Sequence, residues 1–294
     1  MKKLVALCIS TVLAPAFLQA AVITIYDGEQ ATFVDDLAAF NASQDLGDGI
    51  LDGVVNVVAP TAFGTGDAMR MFDFNTADKP ELQGETATAL TSAYRIDFQG
   101  LNNSVASSTK AIRFRMANTG KSISSESRSA FSLSWQADGK VTAKYSDGGL
   151  NDGDANDVDT KSTDALIGVH DVTIIGNNDV SATYAYSLFG ESRTLNAQSY
   201  DVYIDGVLLN SGSDAWYANG MKYTLEKSAA DYDPALGIQR FGLIGSGNSD
   251  VDPDIQFDNI ILRTGTDIIP EPAALGLMAL VSTAFFFIRR RFVV

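Results

Sequence analysis

Residues 200–209 read Tyr-Asp-Val-Tyr-Ile-Asp-Gly-Val-Leu-Leu. Two runs of aromatic, β-branched and aliphatic side chains flank the dipeptide Asp205-Gly206. An Asp-Gly pair supplies the positive φ angles that a two-residue hairpin turn requires. The segment therefore predicts two antiparallel strands joined by a tight turn.

Similar strand-like segments extend on both sides of this hairpin. Apolar and polar residues alternate with a period of two in most of them, as in strands with one buried face. The segments are 22–26, 70–74, 94–98, 112–116, 131–135, 141–145, 169–175, 181–188, 238–244 and 255–263. Gly, Asn and Asp residues occupy the turns between them. The pattern predicts an all-β fold, an antiparallel two-sheet sandwich over residues 21–263.

Residues 32–41 are the exception to this β pattern. Phe33, Leu37 and Phe40 recur there at spacings of four and three residues, which predicts a short N-terminal helix. The Gly- and Asp-rich residues 45–53 that follow predict a loop.

The hairpin and the last strand carry a resemblance to a known group of folds. The last strand contains Phe257-Asp258-Asn259-Ile260-Ile261-Leu262. Together the two segments resemble the concanavalin A-like jelly rolls, which include lectins, glucanases and laminin-G-like domains. The resemblance implies a jelly-roll sandwich. An immunoglobulin-like sandwich is the alternative, although it would be shorter than this domain.

The N-terminal residues 1–20 have the composition of a secretory signal peptide. Lys2 and Lys3 precede an apolar stretch, and Ala20 and Ala21 offer a cleavage point. The single cysteine, Cys8, lies within the apolar stretch, so the exported chain is expected to contain no disulfide.

The C-terminal residues 270–294 form a tripartite tail after a short linker, 264–269. Pro270-Glu271-Pro272 is followed by the uncharged run 273–288 and then by Arg289-Arg290-Arg291. The run predicts a transmembrane helix about 24 Å long. The arginines predict that its C-terminal end lies in the cytoplasm.

This tail resembles the PEP-CTERM sorting signal, a Pro-Glu-Pro followed by an apolar helix and an Arg-rich end. The resemblance covers about 25 residues and implies processing by the membrane protease-transpeptidase exosortase as a partner. It implies a Gram-negative bacterium that makes exopolysaccharide. The expected route is export, transient anchoring in the inner membrane, and final placement at the outer surface or in the extracellular matrix.

The charge of the chain is strongly acidic, with a formal net charge of −15. The two ends carry five of the 21 basic residues and one of the 36 acidic residues, so the intervening domain is more acidic still. Such a surface repels nucleic acid, and no nucleic-acid partner is expected.

Residues for catalysis are sparse. His170 is the only histidine, no Gly-x-Ser-x-Gly motif occurs, and His170 is in phase with apolar strand residues, which favours a structural role. Glu81 and Glu85 are the one closely spaced glutamate pair, and they are expected in a loop beside Pro80. Arg113 and Arg115 resemble part of an alginate-lyase strand, but the Gln-x-His of those enzymes is absent. We therefore expect no enzymatic activity.

One acidic loop is a candidate calcium site. Residues 147–159 are dense in oxygen ligands, and the candidates are Asp152, Asp154, Asn156, Asp157 and Asp159. Asp157 stands where an EF-hand requires glycine, so the site would be an irregular loop; a solvated loop without metal is the alternative. Residues 250–254, with Asp at 250, 252 and 254, are a second and weaker candidate.

Two aromatic residues are candidates for sugar binding. Trp216 and Tyr217 lie in the polar, Gly-bounded residues 211–220, where an aromatic ring could stack on a sugar. The alternative is that they plug the end of the sandwich. Trp135 alternates with apolar neighbours and is expected in the core.

Two functions follow from these observations. The first is a non-catalytic surface or matrix protein that binds extracellular glycan or a neighbouring surface protein. The second is a secreted polysaccharide-degrading enzyme, a hydrolase or lyase, on the same scaffold.

Overall fold

The structure is a computed structural model of the 294-residue chain. It describes residues 21–26, 40–45, 54–58, 63, 68–72, 81–105, 108–118, 121, 123, 129–146, 158–209, 218–223, 233–245, 253–265 and 268. Within these residues the fold is all-β, and no α-helix is described; Pro234–Leu236 form a 3₁₀ turn.

Strands account for nearly all regular structure in this part of the chain. They are β1 (Ala21–Tyr26), β2 (Phe40–Asp45), β3 (Val54–Val58), β4 (Ala68–Phe72), β5 (Glu81–Leu90), β6 (Ala93–Asn102), β7 (Ala111–Ala117), β8 (Ser129–Gln136), β9 (Val141–Ser146), β10 (Val158–Ser162), β11 (Val169–Asn177), β12 (Tyr184–Leu188), β13 (Glu191–Leu195), β14 (Ser199–Ile204), β15 (Val207–Leu208), β16 (Met221–Lys222), β17 (Ile238–Gly245) and β18 (Asp254–Thr264). Each pairing between the described strands is antiparallel.

The strands form two layers. The first layer has the order β2-β5-β17-β7-β8-β9, and the second has the order β14-β11-β6-β18-β4-β3. The two-residue strand β16 joins them, pairing with β14 and contacting β9 through Lys222 and Ser146. Hydrogen bonding is thus continuous at this edge, where the sequence predicted two separate sheets. The first and last strands, β1 and β18, are neighbours.

Aromatic rings from the two layers meet in the core. Phe98 of β6 lies 5.8 Å from Phe114 of β7, measured between ring centroids. Phe131 and Tyr200 approach to 4.3 Å in an edge-on arrangement. Edge-on pairs of this kind stabilise a packed interior beyond their buried area. The core is therefore the space between the layers, as a sandwich requires.

Trp135 confirms the prediction of a core tryptophan, and its position explains a glycine. Its side chain is 3% exposed and lies 6.2 Å from the ring of Phe257. A Cβ atom at Gly100 of β6 would lie only 1.9 Å from the indole ring. Gly100 therefore makes room for Trp135 between the layers.

The predicted hairpin is confirmed. β14 pairs with β15 around Asp205 and Gly206, whose φ angles are 51° and 76°. Two positive φ angles are those of the turn that matches the twist of antiparallel strands.

The predicted N-terminal helix is contradicted at its end. Phe40 and Asn41 belong to β2, which pairs with β5 through Phe40 and Thr86. A short amphipathic pattern is overridden here by pairing with a neighbouring strand. Residues 32–39 lie outside the described residues.

Six strands, β2, β3, β5, β10, β13 and β16, have no counterpart among the predicted strand segments. Among the described residues, no helix has the length and apolar character needed to cross a membrane. The predicted transmembrane helix, 273–288, lies outside them.

Candidate functional site

A polar groove lies on the outer face of the second layer, where β6, β11 and β18 run side by side. Its volume is about 570 Å³. The turns at Phe189 and at Asp205-Gly206 contribute to its rim, and so does Asn259 of β18. The remaining lining residues come from the strands and are Arg95, Asp97, Phe98, Gln99, Asp171, Val172, Thr173 and Ile261.

The alternation of β6 produces the floor of this groove. Ile96 and Phe98 are buried towards the core, whereas Arg95, Asp97 and Gln99 alternate with them and are only half-buried. A period of two places these three polar side chains on the same outer face. The floor is thus dictated by the strand pattern.

Asp97 is held by three donors. Its Oδ1 accepts hydrogen bonds from Arg95 Nε at 2.9 Å and from Thr173 Oγ1 at 2.8 Å. Arg263 Nε donates to Oδ2 at 3.2 Å. Two guanidinium groups therefore more than compensate the negative charge of this carboxylate.

A second chain of hydrogen bonds crosses the floor from β18 to β11. Asn259 Nδ2 donates to Gln99 Oε1 at 3.1 Å, and Gln99 Nε2 donates to Asp171 Oδ1 at 2.8 Å. The side chain of Asp171 is exposed. The floor thus ends at the carboxylate of Asp171, which faces solvent. Its partner in this series of hydrogen bonds is the uncharged amide of Gln99.

The rim concentrates unusual backbone geometry. Within the described residues, four residues other than glycine have positive φ angles, and three of them line this groove: Phe189 (51°), Asp205 (51°) and Asn259 (53°). Asn259 lies at the irregularity in the pairing of β18 with β6. Costly backbone conformations of this kind cluster at binding sites.

Phe189 presents a large apolar surface at the rim. Its side chain is 50% exposed, and its ring lies 5.3 Å from the ring of Tyr203. A Cβ atom at Gly206 would lie 3.3 Å from the Phe189 ring, so the glycine turn permits this close approach. The ring is supported from below and open to solvent above.

His170 stabilises the Asp205-Gly206 turn at the rim of the groove. Its Nδ1 lies 2.6 Å from Asp205 Oδ2, and its Nε2 lies 3.1 Å from the carbonyl oxygen of Ile167. The backbone N–H of Asp171 donates to Asp205 Oδ1 at 2.9 Å. This arrangement orients Asp205, and it fits the structural role that the sequence favoured for His170.

A second concavity, of about 700 Å³, lies along the β12–β13 hairpin. Below it, Asp201 is fully buried and accepts hydrogen bonds from Tyr186 Oη at 2.5 Å and Arg193 Nε at 2.6 Å. Burial and the Asp201 charge raise the pKa of Tyr186 well above its usual value. Burial opposes ionisation of Tyr203 as well and raises its pKa to about 12.

Most of the site residues predicted from the sequence lie outside the described residues. These are Asp152, Asp154, Asn156, Asp157, Trp216, Tyr217, Pro270, Glu271, Pro272, Arg289, Arg290 and Arg291. The backbone of Asp159 is described and pairs with Tyr145 in the β9–β10 ladder. In the described ranges, no group of three or more His, Cys, Asp or Glu side chains could hold a metal ion.

Asp254, which belongs to the second candidate calcium site, forms an ion pair with Arg70. Its two carboxylate oxygens accept from Arg70 Nε at 2.7 Å and Nη2 at 2.6 Å. The pairing raises the pKa of Arg70. A carboxylate bound in this bidentate manner serves to join β4 to β18.

The glutamate pair is not in a loop as predicted. Glu81 and Glu85 both belong to β5, and the guanidinium of Arg240 pairs with the Glu85 carboxylate. Strand β5 forms because it is paired on both sides, by β2 and β17. Arg115 is buried and donates to the carbonyl oxygen of Ile123 at 2.9 Å, so it does not present a substrate-binding surface.

The sequence reasoning missed the groove. Residues 200–209 and Asn259 indicate the fold, and 181–188 predict a strand, but neither pattern predicts a site at the turn Phe189-Gly190. An aromatic residue directly before a glycine, after an alternating segment, was the available signal.

Comparisons with known proteins give no family. No protein-family model matches the chain, and no curated protein matches it. Among solved structures, the chain is similar to the cellulose-induced protein Cip1, with 11% identity, a TM-score of 0.46, and coverage of 82% of this chain and 97% of the other.

Two further solved structures are similar to a comparable degree. The carbohydrate recognition domain of Emp47p has 8% identity and a TM-score of 0.37, over 79% of this chain and 99% of the other. Alginate lyase A1-II′, of polysaccharide lyase family 7, has 11% identity and a TM-score of 0.38, over 66% and 78%. Similarity at this level is no argument for a shared function.

Proposed function

We propose that this chain is an exported surface or matrix protein that binds extracellular glycan without cleaving it. The observation that carries the proposal is the groove on the second layer. It combines the half-exposed ring of Phe189 with the polar floor of Gln99 and Asp171.

This combination suits the two-sided chemistry of a sugar. A pyranose ring has an apolar face of C–H groups, which stacks on an aromatic ring, and an edge of hydroxyl groups. Amide and carboxylate oxygens are acceptors for those hydroxyls. Ligand sites commonly pair an apolar wall with a few placed polar groups in this manner.

The scaffold is proposed to be a concanavalin A-like jelly roll. The hairpin around Asp205-Gly206 and the closing strand β18 support this assignment, as does the antiparallel pairing throughout the described strands. Non-catalytic binding and catalysis both occur on such scaffolds, so the groove rather than the fold determines the function proposed here.

Binding is tested with the purified full chain in mild detergent and a panel of oligosaccharides of equal length. Phe189→Ala should weaken binding by about 1–3 kcal/mol, the value of a large apolar contact. Leu236→Ala is the matched control, because Leu236 is similarly exposed, at 54%, and does not line the groove.

The same panel examines Trp216 and Tyr217. If Trp216→Ala or Tyr217→Ala abolishes binding and Phe189→Ala has no effect, the glycan site lies in residues 211–220, as the sequence predicted, and not in the groove. Absence of binding to every member of the panel contradicts the proposed function.

The sorting route is a part of the same proposal. Pro270-Glu271-Pro272, the apolar run and Arg289–Arg291 support export, anchoring in the inner membrane, processing by exosortase and placement outside a Gram-negative cell. Mass spectrometry of the exported protein should find its C-terminus near residues 270–273. Recovery of mature protein that ends at Val294 contradicts processing.

Calcium binding by Asp152, Asp154, Asn156, Asp157 and Asp159 is also proposed. Extracellular calcium modules have dissociation constants on the order of 10⁻⁴–10⁻³ M. Millimolar calcium should therefore raise the melting temperature, and EDTA should reverse the increase. A melting temperature indifferent to both excludes the site.

A polysaccharide-degrading enzyme is the second candidate, because the His170–Asp205 pair stands at the rim of the groove. The test is release of reducing ends or unsaturated sugars from polysaccharide, and we expect none. Release that is abolished by His170→Ala or by Asp205→Asn contradicts the non-catalytic proposal.

A further inference from the structure

The charged side chains of the groove differ in how they are neutralised. Asp97 is paired with Arg95 and Arg263, which donate to it at 2.9 Å and 3.2 Å. Arg95 also approaches the carbonyl oxygen of Ile268 at 3.5 Å. All three guanidinium nitrogens of Arg95 therefore have acceptors within the protein, and Arg263 does not line the groove.

Asp171 has a different environment. It is exposed, and its side-chain partner in the floor is the neutral amide of Gln99. No lysine or arginine forms an ion pair with Asp171 within the part of the chain that the structure describes. A solvent-facing negative charge is thus built into the floor.

Asp205 adds a second carboxylate at the rim. Its side chain is 49% exposed and is oriented by His170 and by the N–H of Asp171. An ionised carboxylate can only accept hydrogen bonds, so both aspartates recognise donors. Sugar hydroxyls are such donors, whereas an ionised uronate carboxylate is another acceptor of the same charge.

We propose that the groove selects uncharged, hydroxyl-rich glycans and rejects uronate-containing ones, with Asp171 and Asp205 as the residues that determine this specificity. The inference rests on the proposed glycan function and names its ligand class. Juxtaposition of like charges is the physical basis of the rejection, and it is reinforced by the formal charge of −15 on the chain.

The experiment compares cellohexaose with a hexamer of mannuronate, measured by calorimetry on the full chain in detergent. Cellohexaose should bind at least about tenfold more tightly than the uronate hexamer at low ionic strength. Raising the salt concentration from about 20 mM to about 500 mM should bring the two dissociation constants closer together. Salt screens exposed charges, so the uronate hexamer should bind more tightly.

Two charge-removing variants test the residues themselves. Asp171→Asn and Asp205→Asn should each reduce the ratio of the uronate to the cellohexaose dissociation constant several-fold, mainly because the uronate binds more tightly. Asparagine tolerates a positive φ angle, so Asp205→Asn preserves the turn. Asp164→Asn is the control, because Asp164 is exposed and does not line the groove.

Each outcome decides between the alternatives. A preference for cellohexaose that narrows in Asp171→Asn and Asp205→Asn but not in Asp164→Asn supports the inference. Equal or tighter binding of the uronate overturns it, as does a preference that neither variant changes, and both results leave the proposed glycan function intact. Failure to bind either hexamer, with no binding across the wider panel, overturns the proposed function itself.

Discussion

The molecule contains two packed clusters that differ in size and chemistry. The main cluster fills the space between the two layers and is built from aliphatic and aromatic side chains, including Phe131, Trp135 and Tyr200. The satellite cluster lies on the outer face of the second layer, beneath the β12–β13 hairpin, and consists of Ile175, Tyr186, Leu195, Tyr203 and Leu208, with Tyr184 and Leu188 packed against it. Strands β11 and β14 contribute to both.

The difference between the clusters shows how a small interior is stabilised. The main cluster buries many large apolar side chains, and burial of this apolar surface holds the layers together. The satellite cluster is too small for this, and it contains the buried carboxylate of Asp201 with its donors Tyr186 and Arg193. The hydrogen bonds among Asp201, Tyr186 and Arg193 orient the hairpin. Removing one of the three leaves a buried polar group without its partner, which destabilises the cluster.

The largest expected effect is on the main cluster. Trp135→Ala removes an indole ring packed against Phe257 and should lower the free energy of unfolding by about 3–5 kcal/mol. Chemical denaturation measures this loss, and Leu236→Ala, an exposed truncation, should change stability by less than about 0.5 kcal/mol. Equal effects from the two variants would show that the layers are not held by this core.

The second effect is on the satellite cluster. Asp201→Asn removes the charge that Arg193 pairs with and should cost about 3 kcal/mol. Hydrogen exchange should show faster opening of the β12–β13 amides than in the wild type, with strand β6 less affected. Unchanged protection of the hairpin would mean that its apolar residues alone hold it.

The third effect is alkaline destabilisation of the satellite cluster. Burial raises the pKa of Tyr186, and it raises that of Tyr203 to about 12, against about 10 in an unfolded chain. The folded state therefore keeps protons that the unfolded state releases. The contribution of these two tyrosines to the free energy of unfolding is fully present below about pH 10. It is lost as the pH rises from about 10 through 12.

Denaturation midpoints measured across this range check the alkaline effect. Tyr203→Phe should flatten the decline, since phenylalanine has no proton to lose. A stability that stays level between pH 10 and 12 in the wild type would contradict the burial of these phenols.

The smallest expected effect on stability is at the rim of the groove, which belongs to neither cluster. Phe189 adopts a φ of 51°, which costs a residue with a side chain about 1 kcal/mol more than glycine. Phe189→Gly should therefore be more stable than Phe189→Ala by about this amount, although both lose the exposed ring. Thermal denaturation compares the two variants, and equal stability would show that the turn relaxes after truncation.

Some of the fold could be predicted because it depends on local sequence. Alternation located most of the strands, and Asp205-Gly206 specified the hairpin through its positive φ angles. The burial of Trp135 followed from the same period of two. These features need no knowledge of distant residues.

The errors have a common cause in long-range pairing. Phe40 and Asn41 carry part of a helical pattern but lie in β2, because β5 pairs with them. Glu81 and Glu85 have loop-like surroundings in the sequence but lie in β5, because β2 and β17 flank that strand. Local propensity cannot show which strands a sheet will recruit.

The candidate site depended almost wholly on tertiary structure. Gln99 and Asn259 are 160 residues apart, and the pairing of β6 with β18 brings them to one face. Phe189 reaches the same groove from the β12–β13 turn, where its ring contacts Tyr203 of β14. By itself the sequence determined the β alternation, the hairpin turn, the acidic charge and the order of the motifs in the tail, since each resides in neighbouring residues. Only the tertiary structure decided which strands face each other, which carboxylates are neutralised by arginine and where the groove lies, because these depend on side chains that meet across the sheet.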